Sequence, residues 1–212
     1  ERAPAGGECG GEARRREGRA LPAGIQPRCL DGPVTISDGN LLLRRFTPGD
    51  AEALYGYLSR PEAVHFEPYG VKTREESRIE AVSRSKDRRF IAVEVDGELV
   101  GNLYLTPAGP TRSWEIGYVF HPDHWGNGYA TRAARLLLDD LFLRENAHRV
   151  MARCDPLNEA SWRLMERLGM RREGHLIAAA TFRNDEHGQP IWHNTYLYAV
   201  LDSEWAAGGT QN

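Results

Sequence analysis

Trp114-Glu115-Ile116-Gly117-Tyr118-Val119-Phe120-His121-Pro122-Asp123-His124-Trp125-Gly126-Asn127-Gly128-Tyr129-Ala130-Thr131 decides how this chain is read. Trp114, Ile116, Tyr118 and Phe120 fall at every second position, the period of a strand with one face on a core. His121-Pro122-Asp123 ends the strand, because proline has no amide to give a ladder. Beyond Gly126 and Gly128, residues Ala130, Ala133, Ala134, Leu137, Leu138, Leu141 and Phe142 keep the spacing of an amphipathic helix. A glycine turn that feeds a helix is a ready anion site. The backbone can approach closely, the first helical amides have no internal partner, and the dipole favours negative charge. The same glycines also suit a tight turn that only positions the helix.

Downstream, Arg149–Cys154 reads as a buried strand, broken by Asp155-Pro156-Leu157-Asn158. A short helix spans about Glu159–Leu168 and closes on Gly169. Met170–Ala180 and Thr195–Leu201 read as the last strands, joined by the polar loop Arg183–Pro190. Upstream, Asn40–Phe46 is a strand, and Thr47-Pro48-Gly49-Asp50 opens a helix striped by Leu54, Tyr55 and Leu58. Thr73-Arg74-Glu75-Glu76 is a capping box that opens a second helix to about Lys86. Between the two helices lies an aromatic-rich connection, Val64-His65-Phe66-Glu67-Pro68-Tyr69-Gly70. Phe90–Val95 and Leu99–Leu105 form a hairpin about Asp96-Gly97, with Pro107–Thr111 as a loop.

The organisation is one domain over 39–205, with tails at 1–38 and 206–212. Glycine pairs, scattered prolines and Arg14-Arg15-Arg16 give the first tail no period, so it is expected to be disordered or loosely attached, its arginines solvated. A chain opening on Glu1 is expected to be a fragment or a processed product, and residues 1–20 lack the apolar core of a signal peptide. The net charge of −3 argues against a nucleic-acid partner. No apolar run approaches the ~20 residues that cross a bilayer, so no membrane partner is expected. Cys9, Cys29 and Cys154 have no metal-like spacing, which points to no metal, no disulfide framework and a cytoplasmic location.

Trp125-Gly126-Asn127-Gly128-Tyr129-Ala130 resembles the Gln/Arg-x-x-Gly-x-Gly/Ala loop of the GNAT superfamily of acyl-CoA-dependent N-acyltransferases. Trp125 in place of Gln or Arg is typical of the branch similar to the RimJ/RimL-type ribosomal-protein Nα-acetyltransferases. Pro156–Met170 resembles the Asn-x-x-Ser…Glu-x-x-Gly-Met/Phe segment of that branch. The order of elements fits the same topology from Asn40 to about Trp205. A P-loop would need Gly-Lys-Ser/Thr, and a dinucleotide fingerprint a third glycine. The resemblance implies an α/β GNAT fold in a single domain, with a mixed, mostly antiparallel central sheet flanked by helices. It implies acetyl-CoA as cofactor, its pyrophosphate wrapped by Trp125, Gly126, Asn127, Gly128, Tyr129, Ala130 and Thr131, with His124 beside it. The central strand is expected to part from its neighbour, and the amides of Val119 and Phe120 to face the pantetheine arm. Asn158 would bond that arm and Ser161 would lie near the sulfur; as a bare residue, Asn158 reads first as a helix N-cap.

The implied chemistry is direct transfer of an acetyl group to a primary amine, which needs a base near neutral pH and a held, unprotonated nucleophile. Glu115 on the central strand is the candidate base, its alternative an ion pair with Arg44 or Arg45. His65, His121 and His193 are further candidates. Met165 stands where many family members carry a proton-donating tyrosine, which leaves Ser161, directly or through water, to serve the thiolate. Asn127 replaces a lysine common in the branch, so Arg132, Arg135 or Arg163 would meet the phosphates, if they are not simply solvated. The acceptor is a protein N-terminus or a small amine such as an aminoglycoside. The rival is a non-catalytic acyl-CoA-binding module. Monomer and homodimer are both open.

Overall fold

The computed structural model describes residues 35–109 and 112–208. Strands β1 (Thr35–Asp38) and β2 (Leu41–Arg44) form a hairpin. A single turn at Pro48–Asp50 leads into α1 (Ala51–Leu58), followed by α2 (Pro61–Val64) and α3 (Arg74–Lys86). Then come β3 (Phe90–Val95), β4 (Glu98–Pro107), β5 (Ser113–Phe120), α4 (Tyr129–Leu143), β6 (Arg149–Cys154) and α5 (Glu159–Arg167). A long hairpin of β7 (Arg171–Asn184) and β8 (Pro190–Leu201) precedes α6 (Asp202–Gly208).

Local chemistry accounts for many of these boundaries. In the α3 capping box, Thr73 Oγ1 accepts the Glu76 amide at 3.2 Å, and Glu76 Oε2 accepts the Thr73 amide at 2.7 Å. The β3–β4 turn places Asp96 at φ 53° and Gly97 at φ 84°, the pair of positive angles that a tight twisted hairpin requires.

The eight strands make one sheet in the order β1-β2-β3-β4-β5-β6-β8-β7. Neighbours are antiparallel except β5 and β6, between which α4 carries the chain back to the starting edge. Alternation gives each face its own core. Trp114, Ile116 and Phe120 join Leu137, Leu141 and Met165 beneath α4 and α5, whereas Val119, Ala92 and Leu99 meet Leu54, Leu58 and Ala81 of α1 and α3.

One irregularity positions the site. β5 pairs with β6 only from Ser113↔Arg149 to Ile116↔Ala152. Beyond that, β5 stays with β4 as far as Gly101↔Phe120, while β6 stays with β8 as far as Cys154↔Tyr196. The two strands part at Gly117, in the middle of the sheet.

The sequence reading differs from the structure at its edges. Thr35–Asp38, assigned to the tail, pair with β2 and start the sheet ahead of the boundary at 38. The β7–β8 hairpin extends to Asn184↔Pro190, well into what reads as a polar loop, because most of β7 is exposed and so lacks the alternation that marks a buried face. α2 is too short to show a period. α6 runs past Trp205, whose ring packs on Phe142 at 5.7 Å and whose indole N–H donates to Asp139 at 2.8 Å. Cys9, Cys29, the arginine cluster at 14–16, residues 110–111 and 209–212 lie outside the described residues.

Candidate active site

A cavity of about 1040 Å³ passes through the parting of the strands. One mouth is the glycine loop with the start of α4, the middle is the end of β5 against α5, and the other mouth is α2 with His65, Phe66 and Glu67. The amide of His121 donates to Val100 O at 2.9 Å, on the β4 side. Strand alternation then turns the Val119 amide toward β4 and the amides of Tyr118 and Phe120 toward the gap. The expectation for Phe120 therefore fits the backbone geometry; for Val119 it does not, and Tyr118 takes its place. Val119 still lines the cavity.

Gly126 at φ 81° and Gly128 at φ 77° are left-handed. A Cβ on either would meet nothing within 4 Å, so backbone conformation rather than space calls for glycine here. Gly128 caps α4 with no side chain, and the first amide bonded back into the helix is that of Arg132, to Gly128 O at 3.0 Å. The amides of Tyr129, Ala130 and Thr131 thus point out of the helix start at the cavity mouth, where they can hold an anion. Trp125 fixes this loop to the strand by donating its indole N–H to Phe120 O at 3.0 Å. His124 lines the cavity, 3.5 Å from Glu98. Asn127 instead turns back to donate to His124 O at 3.2 Å and is not part of the lining.

The cation at this mouth is not one of the three expected. Arg132 is engaged by Asp38 and Asn40, Arg135 donates to Arg167 O at 3.1 Å and lies over Trp205, and Arg163 pairs with Glu159 at 2.9 Å. Arg167, at the end of α5, lines the cavity with Nε 3.4 Å from Thr131 Oγ1. Only folding brings it there, from 36 residues away in sequence.

In the middle of the cavity, Asn158 caps α5, its Oδ1 accepting the Ser161 amide at 3.2 Å. The cap is therefore made, and it also fixes Ser161. Ser161 Oγ lies 2.9 Å from the Tyr118 hydroxyl, which can donate to Ser161 O at 3.1 Å. Burial raises the Tyr118 hydroxyl above its ordinary range, so it stays protonated. Burial also pushes the Cys154 thiol beside Ser161 up to about 11. Met165 is buried in the core beneath them. Strand β5 thus supplies a tyrosine hydroxyl where the family's usual helix position has none. In the sequence, Tyr118 reads only as one of the alternating core residues.

Glu115 does not fit its expected role. Its carboxylate pairs with Arg153 at 3.1 Å, rather than with Arg44 or Arg45, and it is absent from the cavity lining. Arg44 holds Asp50 and Glu94 instead. Of the histidines, His65 lines the cavity, whereas His193 bonds Asp155 at 3.1 Å. His121 packs near Tyr57, and burial lowers its imidazole below the ordinary value. Three carboxyls line the cavity, Glu62, Glu67 and Glu159; that of Glu67 is raised to about 7 by burial, against a hydrogen-bond contribution from Tyr69 that lowers it. Sequence reasoning gave Glu67 no role, although a lone carboxylate within Val64-His65-Phe66-Glu67-Pro68-Tyr69 is a visible anomaly.

A profile of the family described as "Acetyltransferase (GNAT) domain" matches residues 40–171. The chain is 33% identical over 173 residues to the uncharacterized N-acetyltransferase YnaD of Bacillus subtilis, covering 80% of this chain and 98% of that protein. A GNAT-family acetyltransferase from Bacillus anthracis superposes with a TM-score of 0.71 at 33% identity, covering 80% of this chain and 99% of that one. RimL, the ribosomal L7/L12 alpha-N-protein acetyltransferase, superposes with a TM-score of 0.68 at 19% identity, over 80% of this chain and 94% of that one, a likeness of fold alone.

Proposed function

The chain belongs to the GNAT acetyltransferase family, and from that membership we propose that it moves an acetyl group from acetyl-CoA to a primary amine. The observation that carries this reading is the cavity itself. It joins an anion-holding glycine loop to a carboxylate-bearing loop through a gap between β5 and β6.

The residues fit acetyl-CoA. The amides of Tyr129, Ala130 and Thr131, with Arg167, suit its phosphates. The gap-facing amides of Tyr118 and Phe120 suit the pantetheine arm, which would pair with β5 as a missing strand does. The donor brings an activated thioester, and the protein's task is to hold an amine in line with it. The amide N–H groups at the gap polarise the acyl oxygen. The Ser161–Tyr118 hydroxyl pair holds a proton for the departing sulfur.

Trp125 at the head of the loop supports the RimJ/RimL-type branch within this reading. The acceptor is then a protein N-terminus or a small amine. Glu62 and Glu67 at the acceptor mouth suit an amine that arrives as an ammonium ion.

Free-thiol release from acetyl-CoA, measured with short peptides, aminoglycosides, polyamines and amino acids, tests the proposal. Turnover with one class of amine names the acceptor. A non-catalytic binder would keep a thermal shift with acetyl-CoA and release no thiol with any amine. Absence of both would overturn the assignment.

A further inference from the structure

Glu67 lies in a loop beside a chain of polar groups that runs into the body of the fold. Asn102 of β4 accepts from the Tyr57 hydroxyl at 2.9 Å and from Arg84 Nη1 at 3.0 Å. Arg84 is only 3% exposed and stacks over Phe90 at 4.5 Å, while its Nε holds Glu80 at 3.0 Å. The Tyr69 hydroxyl, as a hydrogen-bond partner, and the Arg84 charge both favour the ionised form of Glu67. Arg84 acts on Glu67 through its charge, while its own bonds go to Glu80 and Asn102. Glu67 lines the acceptor end of the cavity. Glu115 shows the opposite arrangement, bound directly to a cation and outside the lining.

We infer that Glu67, which lines the acceptor end of the cavity, is the general base of acetyl transfer. This rests on the acetyl-transfer reading above. The amine lone pair forms the new carbon–nitrogen bond as the carbon–sulfur bond breaks. One proton passes from nitrogen to Glu67, directly or through a water, and then to solvent. The sulfur leaves with the electron pair of its bond and takes a proton from the hydroxyl pair or from water.

The groups around Glu67 are His65 and Tyr69 of its own loop, Glu62 of α2, Arg84 of α3 and Tyr57 of α1. Arg183 of β7 also reaches this region, donating to Val64 O at 3.5 Å. Burial outweighs the hydrogen bond from Tyr69 and the charge of Arg84, which leaves the carboxyl at about 7, where a base both accepts and returns a proton.

The test uses the full chain and whichever amine turns over. Glu67→Gln is expected to lower kcat/KM for the amine by about 100-fold or more and to erase the acidic limb near pH 7, with KM for acetyl-CoA unchanged. Tyr69→Phe is expected to move that limb to higher pH, since the lost hydrogen bond favoured the ionised carboxyl. A readout independent of turnover is carbon-13 NMR of the glutamate carboxyls, where one resonance titrates near 7 and is missing from the glutamine variant. Activity of Glu67→Gln within threefold of wild type with the limb intact overturns the inference, as does a Glu67 resonance titrating in the ordinary carboxylate range. In either case wild-type turnover stands. If the wild type itself releases no thiol with any amine, the acetyl-transfer reading fails and the base falls with it.

Discussion

Tyr118 and Ser161 share one contact of 2.9 Å, which couples their hydroxyls. Tyr118→Phe and Ser161→Ala are each expected to lower kcat by about 10-fold, and the double variant by little more, because effects within one network do not add. Single-turnover kinetics on the three variants checks this; full multiplication would show two separate roles. Glu67 makes a second prediction, on stability. Its carboxyl ionises at its ordinary 4.5 when unfolded but holds its proton to about 7 when folded. Folding therefore takes up a proton between those values. The stability carried by this group is full below about 4.5 and is lost as pH rises through about 7. Glu67→Gln, which cannot ionise, is expected to match wild type at pH 4 and to exceed it at pH 8 by on the order of 2 kcal/mol. Denaturant midpoints at the two pH values measure it. The placing of Ser161 beside Asn158 was legible in their spacing, because cap and hydroxyl lie on one helical turn. The roles of Tyr118, Arg167 and Glu67 were not, since each depends on a neighbour supplied by a different element.

The parting of β5 from β6 is the element-scale feature on which the site depends, and Gly101 pairs with Phe120 at its open end. A Cβ there would stand 2.6 Å from Val119 O and 2.7 Å from the Phe120 ring, and the nearest of these is backbone that cannot swing aside. Gly101→Ala is expected to destabilise the protein by about 1–3 kcal/mol and to weaken acetyl-CoA binding, since it pushes the end of β5 out of line. Unfolding midpoints and acetyl-CoA titration report the two effects separately. Elements whose signals are local were readable in advance. The α3 capping box and the Asp96-Gly97 turn are each fixed within four residues of chain. The β7–β8 arm was not, because it carries Ile177 and Trp192 exposed and has no buried face to impose a period.

At the scale of the whole molecule, the open gap divides the middle of an otherwise continuous sheet, and a bound donor would span it. Acetyl-CoA at 100 times its Kd is expected to add about 2.7 kcal/mol to unfolding, which a denaturant titration at rising acetyl-CoA measures. No shift would mean that the native state does not bind it. Sequence alone determined the family, the order of elements and the glycine loop, because periodicity, caps and left-handed turns are properties of contiguous residues. The family resemblance also pointed to Phe120 and Ser161, and both line the cavity. Tertiary structure decided the chemistry of the individual charges. It gave Glu115 to Arg153, occupied Arg132, Arg135 and Arg163 elsewhere, and brought Arg167 to Thr131. It also half-buried Glu67 in the lining of the cavity, where Tyr69 and Arg84 act on its carboxyl. Partner and burial set what a charged side chain can do, and both come from segments far apart in the chain, where no local pattern reaches.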